Sequence, residues 1–112
     1  MSKGMPTPRE CAILLKALGD ETRLQILETL LREEHCVSDL VERTGLAQPH
    51  ISHHLQILRT AGLVEGQREG KRICYRVTPT VRHALTGAGR TVLDFGCCQV
   101  SFPASRLAAW AR

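Results

Sequence analysis

The chain is organised around residues 48–62: Gln48-Pro49-His50-Ile51-Ser52-His53-His54-Leu55-Gln56-Ile57-Leu58-Arg59-Thr60-Ala61-Gly62. Ile51, Leu55 and Leu58 recur at steps of four and three, which predicts one apolar face of a helix. Pro49 suits the start of this helix, and Gly62 suits its end. The other face offers hydrogen-bond donors and acceptors without any Asp or Glu: His50, Ser52, His53, Gln56 and Arg59.

A helix with such a polar face can lie in the major groove of DNA. Arg and Gln then reach base edges, while Ser and His reach phosphates or bases. A solvated amphipathic helix has the same pattern, so the flanking segments decide between the two interpretations. Ser38 can cap a short helix over residues 39–44, which Gly45 ends. Two helices joined by a short Gly-containing turn predict a helix-turn-helix.

The segment after this helix has the pattern of a hairpin. Apolar and polar side chains alternate along the second half of residues 64–77, and Glu69-Gly70 supplies the turn. A basic hairpin directly after a helix-turn-helix is typical of a wing that reaches the minor groove or phosphates. Basic side chains on an edge hairpin also prevent edge-to-edge aggregation, which is the alternative. The basic residues at or near the turn are Arg68, Lys71 and Arg72.

Further helices are predicted on both sides of this region. Helical spacing of apolar residues predicts helices over 8–18 and 21–33, the second capped by Asp20. Pro79 opens a long final helix over residues 80–95. The predicted fold is mainly α with a β-hairpin wing, a winged helix-turn-helix of four helices, two strands and a fifth helix. Its parts are a flexible lead (1–8), a DNA-binding and dimerisation domain (9–95) and a C-terminal segment with a cysteine pair (96–112).

Length, charge and cysteine content limit the possible domain number, partners and cellular compartment. A length of 112 residues favours one domain, and a net charge of +4 permits a polyanionic partner without requiring one. No apolar run approaches the roughly 18 residues of a membrane span, and the first residues lack a signal-peptide core, so we expect a cytoplasmic protein without a membrane partner. Five cysteines without a disulfide-framework spacing indicate thiols, ligands or redox sensors. Cys74, on a predicted wing strand, is expected to be structural.

Three motifs follow one another along the chain: Ala17-Leu18-Gly19-Asp20-Glu21-Thr22-Arg23-Leu24-Gln25-Ile26-Leu27, Ile51-Ser52-His53-His54-Leu55 with Leu58-Arg59-Thr60-Ala61-Gly62-Leu63-Val64, and Gly70-Lys71-Arg72 with Tyr75-Arg76-Val77. Together they resemble the ArsR/SmtB family of winged-helix repressors over about residues 12–95. The resemblance implies a homodimer, joined through its first and last helices, that binds palindromic double-stranded operator DNA until an inducer, often a metal or metalloid, releases it. The positions that it implies for DNA contact are Gln48, His50, Ser52, His53 and Arg59 in the groove, with Arg68, Lys71 and Arg72 on the wing.

Three positions refine what the resemblance implies. His54 lies where the family's second His often packs inside the domain, so it ranks below His53 as a DNA contact. Ala47 replaces a Ser that often caps the recognition helix, and Gln48 is the substitute that the sequence offers. The predicted final helix contains only His83, so the family's zinc pattern, Asp-x-His and then His-x-x-Glu, is absent there.

Cys97 and Cys98 are the candidate inducer ligands. A soft centre such as As(III) or Sb(III) favours thiolates and takes three sulfurs in a pyramid, of which two neighbours supply two. Some arsenic and antimony repressors of the family use such a pair near the end of the final helix, and the resemblance implies the same site. Cys36 is the first choice as third ligand, because Cys36-Val37-Ser38-Asp39-Leu40 resembles the arsenic-type Cys-Val-Cys-Asp-Leu motif with its second Cys replaced. Cys11 or a small exogenous thiol are the alternatives.

The sequence therefore predicts a DNA-binding repressor that releases its operator on binding As(III) or Sb(III), with no organic cofactor and no enzymatic activity. One alternative keeps the fold and makes Cys36 with Cys97 or Cys98 a thiol redox or persulfide switch. A cysteine enzyme using His83 or His35 would lack an oxyanion-hole motif and an orienting group. An interaction module without a DNA role would show no salt-dependent DNA affinity.

Overall fold

The computed structural model describes residues 6–86 and 90–103 of the chain. Most of the predicted lead (1–5) and the end of the predicted C-terminal segment (104–112) lie outside these ranges. Within the described ranges, no helix is long and apolar enough to cross a membrane.

The first two helices are fixed by side chains at their N-termini. Helix α1 spans Pro8–Leu18, and Thr7 and Glu10 cap it reciprocally: Thr7 Oγ1 accepts the Glu10 N–H at 3.1 Å, and Glu10 Oε1 accepts the Thr7 N–H at 2.9 Å. Helix α2 spans Glu21–Arg32 and begins after Asp20, whose carboxylate accepts a backbone N–H of the first turn. Both helices begin where the sequence predicts them.

The helix-turn-helix consists of α3, Val37–Thr44, and α4, Gln48–Thr60. Helix α3 begins two residues before its predicted start, because Asp39 Oδ2 accepts the Cys36 N–H at 3.1 Å and makes Cys36, not Ser38, the residue that precedes the helix. The predicted apolar stripe of α4 is fully buried, with 0% exposure of each member: Ile51, Leu55 and Leu58.

The wing is an antiparallel pair of strands, as predicted. Strand β2, Val64–Glu69, pairs with β3, Arg72–Val77, and Glu69 lies opposite Arg72 at the turn. A short strand β1, His35–Cys36, adds to the other edge of β3 and gives the sheet order β1-β3-β2. This extra strand ties the start of α3 to the wing.

The predicted final helix over 80–95 is wrong beyond its first turns. Helix α5 spans only Pro79–Ala84. The chain then forms β4, Leu85–Thr86, β5, Arg90–Asp94, and β6, Gln99–Pro103, in a second antiparallel sheet of order β4-β5-β6. The resemblance implied that the last helix forms half of the dimer interface, and in this chain a β-hairpin occupies most of that position.

Burial explains why this segment is a hairpin. Leu93 is 0% exposed and Phe102 is 4% exposed, and both join the core cluster of the winged domain. Between them the chain turns at Gly96 (φ +91°), whose N–H is accepted by Asp94 Oδ1 at 2.9 Å. Alternation with period two buries one side of each strand, a pattern that a helix does not satisfy. The hairpin crosses the predicted boundary between residues 95 and 96 and holds the cysteine pair against the domain.

Candidate functional site

The exposed face of α4 meets the chemical requirements of a DNA-reading surface. Every residue that the resemblance places in the groove is solvent-exposed, and the apolar stripe of the helix points into the core. Arg59 Nη2 donates to Gln56 Oε1 at 3.1 Å, which pre-orients two side chains that can reach base edges. The exposed groove candidates are Gln48, His50, Ser52, His53 and Arg59.

His54 belongs to the domain's internal contacts, as the resemblance implied. Its Nδ1 lies 3.1 Å from Arg23 Nη1, and the ring is only 16% exposed. Arg23 also donates through Nε to the Ala17 carbonyl at 2.7 Å and through Nη2 to the Lys16 carbonyl at 3.2 Å. The guanidinium therefore joins the end of α1 to the middle of α4. Sequence reasoning missed this role of Arg23, because the contact with His54 spans 31 residues.

The Arg23–His54 contact predicts a pH-dependent stability. Burial lowers the pKa of His54 below its usual 6.5; the Asp20 carboxylate opposes this shift and Arg23 adds to it. The unfolded chain therefore binds the proton first as the pH falls below about 6.5, so the free energy of unfolding falls in that range. We expect His54→Gln to reduce the loss of unfolding free energy between about pH 7.5 and 5.5, measured by urea titration. His83→Gln, on an exposed side chain of α5, is the control, and equal loss in both variants would contradict the assignment.

The start of α4 lacks a side-chain cap. Ala47 has the extended backbone of an N-cap residue (φ −66°, ψ 149°), but its methyl side chain makes no cap hydrogen bond. Gln48 is the first helical residue, so it does not serve as the capping residue in place of the usual Ser.

Ala47→Ser is therefore expected to stabilise the domain by about 1 kcal/mol, because a Ser hydroxyl would accept an N–H of the first turn. The shift in the urea midpoint at constant slope measures this gain. Ala47→Val, which changes size without adding an acceptor, should give no gain. A serine variant no more stable than the valine variant would show that water satisfies the helix start equally well.

The predicted basic residues of the wing are exposed to solvent, and one of them, Arg72, also contacts α3. Arg72 Nη2 donates to Ser38 Oγ at 3.3 Å and lies 3.6 Å from Asp39 Oδ2. A cleft of about 280 Å³ separates the wing from the start of α4, with Gln48 and Lys71 among its lining residues. Arg72 therefore ties the turn end of the wing to the first turn of α3. The other exposed basic residue near the tip is Arg68.

A cluster of three sulfurs forms the second part of the site. The Sγ atoms of Cys11, Cys97 and Cys98 all lie within 4.8 Å of one another, and each residue is partly buried. Cys97 and Cys98 stand at the turn between β5 and β6, and their sulfurs are 3.8 Å apart. Cys11 lies on α1 and is joined to Cys97 as a disulfide. This pairing over 86 residues has no signature in the sequence.

The first choice for the third ligand, Cys36, does not join this cluster. Cys36 lies directly opposite Cys74 in the β1–β3 register, and the structure bonds the two sulfurs as a second disulfide. Cys74 is thus paired, although its burial at 2% exposure agrees with the structural role expected for it. The sequence predicted thiols, but the described residues contain two disulfides and one free cysteine, Cys98.

The three-sulfur cluster fits a thiophilic metalloid when its disulfide is reduced. As(III) and Sb(III) are coordinated by three thiolates in a pyramid, and these soft centres favour sulfur donors. Among the described residues, the group that holds all three sulfurs contains no His, Asp or Glu. The donor set therefore disfavours Mg²⁺ or Ca²⁺, which require oxygen ligands.

These features define a winged helix-turn-helix DNA-binding regulator with an internal thiol cluster, and comparison with known proteins gives its family. The profile of the bacterial regulatory protein arsR family matches residues 20–66. The chain is 35% identical over 96 residues to a probable mercury resistance operon repressor of Streptomyces lividans, covering 81% of this chain and 77% of that protein. It is 37% identical over 97 residues to the arsenic resistance transcriptional regulator ArsR1 of Pseudomonas putida, covering 86% and 76%.

Solved structures agree with this relationship. Mb0332 from Mycobacterium bovis, a homodimeric winged helix-turn-helix DNA-binding domain, superposes with a TM-score of 0.59 at 36% identity, over 67% of this chain and 75% of that one. The chain belongs to the ArsR family of transcriptional repressors, which are DNA-binding regulators and not enzymes. The resemblance seen in the sequence is confirmed.

Proposed function

We propose that this repressor binds operator DNA as a homodimer and releases it when As(III) or Sb(III) binds the reduced thiolates of Cys11, Cys97 and Cys98. The observation that carries the proposal is the convergence of these three sulfurs within 4.8 Å of one another. The arsenic regulator among its relatives supports a metalloid inducer. A protein that acts on operator DNA is expected in the cytoplasm.

The dimer is supported by an apolar surface along α1. Ile13 is 43% exposed and Leu15 is 51% exposed, and an apolar patch that is continuous over the surface is typical of an interaction site. A cleft of about 250 Å³ between α1 and α4 continues this surface, and its lining includes Ala17, Ile57 and Ala61. A second copy would bury these groups, and the related Mb0332 domain is homodimeric. The interface proposed here therefore includes α1.

A chain of contacts connects the sulfur cluster to the reading helix. Cys11 sits on α1, and the other end of α1 is tied through its Ala17 carbonyl to Arg23. Arg23 in turn contacts His54 on α4. A metalloid bound to the reduced sulfurs would set the spacing between α1 and the β5–β6 turn and thereby change the distance between the two reading helices of the dimer. Release requires the metalloid to bind the DNA-free arrangement more tightly, by about 1–3 kcal/mol in a typical coupling.

A second candidate keeps the cluster and changes the signal. Because Cys11 and Cys97 are joined as a disulfide, the cluster also suits a thiol redox sensor. Two thiols would lose two protons and two electrons to an oxidant such as hydrogen peroxide, forming the disulfide and water. The sequence alternative paired Cys36 with Cys97 or Cys98, and the pair proposed here differs. Release of DNA by peroxide but not by arsenite would favour this second function.

Ultraviolet titration of the reduced protein distinguishes these functions. Arsenite or antimonite should produce thiolate-to-metalloid absorption that saturates at one equivalent per chain and is lost in Cys98→Ser. Cys74→Ser is the control and should keep the absorption. Mercury(II), which needs only two thiolate ligands, is titrated for comparison with arsenite, because one relative is a probable mercury resistance repressor. Absorption with arsenite that survives Cys98→Ser would overturn the assigned cluster.

A further inference from the structure

A second group of ligand atoms lies on the wing sheet toward its turn, apart from the sensing cluster. The sulfurs of Cys36 and Cys74 and a carboxylate oxygen of Glu69 all lie within 4.8 Å of one another. Cys74 Sγ lies 3.7 Å from Glu69 Oε1. The β-sheet register creates this group, since Cys36 is opposite Cys74 on β1 and β3, and Glu69 ends β2 at the wing turn.

We propose that these three residues, once their sulfurs are reduced, bind a thiophilic divalent cation of the Zn(II) or Cd(II) type. Two molecules of a low-molecular-weight thiol supply the reduction: the first attacks the Cys36–Cys74 disulfide to give a mixed disulfide, and the second resolves it, which leaves two protein thiols and the disulfide of the small thiol. Binding then releases the two sulfur protons, while Glu69 enters as a carboxylate, and no electron moves to the cation. Two thiolates and one carboxylate are ordinary ligands of Zn(II), with a fourth position left for water.

The surroundings of the group favour an anionic complex. Two thiolates and a carboxylate around a divalent ion leave one net negative charge. Arg72 and Lys71 line the cleft of about 280 Å³ that also exposes Cys36, so two cations stand beside that charge. Cys36 immediately precedes α3, and a helix N-terminus favours a thiolate at that position. A disulfide alone accounts for the two sulfurs but gives no role to the carboxylate placed against Cys74.

The group joins the elements that meet DNA. Its ligands come from β1, β2 and β3, and Cys36 directly adjoins α3, whose Ser38 and Asp39 hold Arg72. An ion bound here would fix the wing against the helix-turn-helix. This would happen independently of the sulfurs of Cys11, Cys97 and Cys98, which form a separate group. The protein would then contain two soft-metal sites with different donor sets.

Cadmium titration of the full chain tests the proposal. The variant Cys11→Ser/Cys97→Ser/Cys98→Ser, reduced with a phosphine that is afterwards removed, should bind one Cd(II) per chain with thiolate-to-cadmium absorption and release two protons. Adding Cys36→Ser should abolish the absorption, and adding Cys74→Ser should do the same. Adding Glu69→Gln should weaken binding at least about tenfold, whereas Glu65→Gln, on the same strand, should not.

Three outcomes would overturn the proposal. The first is a triple-serine variant without cadmium absorption although a thiol assay counts two reduced cysteines. The second is a disulfide that resists reduction in the folded chain, which would make Cys36–Cys74 a structural cross-link. The third is equal cadmium affinity of the Glu69→Gln and Glu65→Gln variants, which would remove the carboxylate from the site. Circular dichroism of each variant confirms that the winged domain remains folded.

Discussion

Replacing Ser52 and His53 together by alanine is expected to weaken operator binding by at least about 100-fold. Both side chains are exposed on the face of α4 that lacks carboxylates. A base contact of this kind contributes about 1–3 kcal/mol, and a dimer loses each contact in both half-sites. Each 1.4 kcal/mol corresponds to a tenfold change in affinity. Fluorescence anisotropy with labelled operator DNA at fixed salt measures the effect.

The matched control removes the same two chemical groups elsewhere. Ser101→Ala and His83→Ala change exposed residues of β6 and α5, away from the reading helix, and should leave affinity within about twofold. Because the four side chains are exposed, neither double variant should lose much stability, and thermal unfolding verifies this. Equal affinities of the two double variants would mean that α4 does not read DNA through this face. Residual non-specific binding, recognisable by its steep salt dependence, is subtracted with a scrambled duplex.

Local patterns predicted the reading half of this molecule well. The stripe of Ile51, Leu55 and Leu58 lies within three turns of one helix, so its period alone identifies the buried face. The wing could be predicted equally well, since its alternating pattern and its turn at Gly70 lie within one continuous segment. In both cases the interacting residues are close in sequence, which is the condition under which periodicity is informative.

The prediction of a long final helix failed for the opposite reason: the interacting residues are far apart in the sequence. Leu93 pairs across the hairpin with Val100, and both pack on the core, but the pattern of residues 80–95 alone does not contain the strand that follows them. Gly87 and Gly89, each weakening a helix by about 1 kcal/mol relative to Ala, were the local signal against a long helix. Cys11 and Cys97 are 86 residues apart, so only the folded hairpin shows that they meet. Motif similarity favoured Cys36 instead, and strand register directs that residue to Cys74.

The double substitution Cys97→Ser/Cys98→Ser is expected to give a repressor that binds operator normally and no longer responds to arsenite. In the reduced wild-type protein, saturating arsenite should weaken operator affinity about 5- to 150-fold, the range of a coupling of 1–3 kcal/mol. Serine keeps the size and turn geometry at these positions but offers no soft donor. The two cysteines lie at the β5–β6 turn, away from the face of α4, so affinity without arsenite should stay within about twofold of wild type.

Two single substitutions make this prediction specific to the cluster. Cys11→Ser should abolish the arsenite response, because Cys11 supplies the third sulfur within 4.8 Å, whereas Cys36→Ser should keep it. The opposite result would restore the ligand set favoured by the motif and would require Cys36 to reach the pair from the second subunit. Equal release from wild type and the double variant would exclude the pair altogether. Arsenite bound to Cys11, Cys97 and Cys98 would act through α1, since α1 is the element that carries the third sulfur and reaches α4 through Arg23.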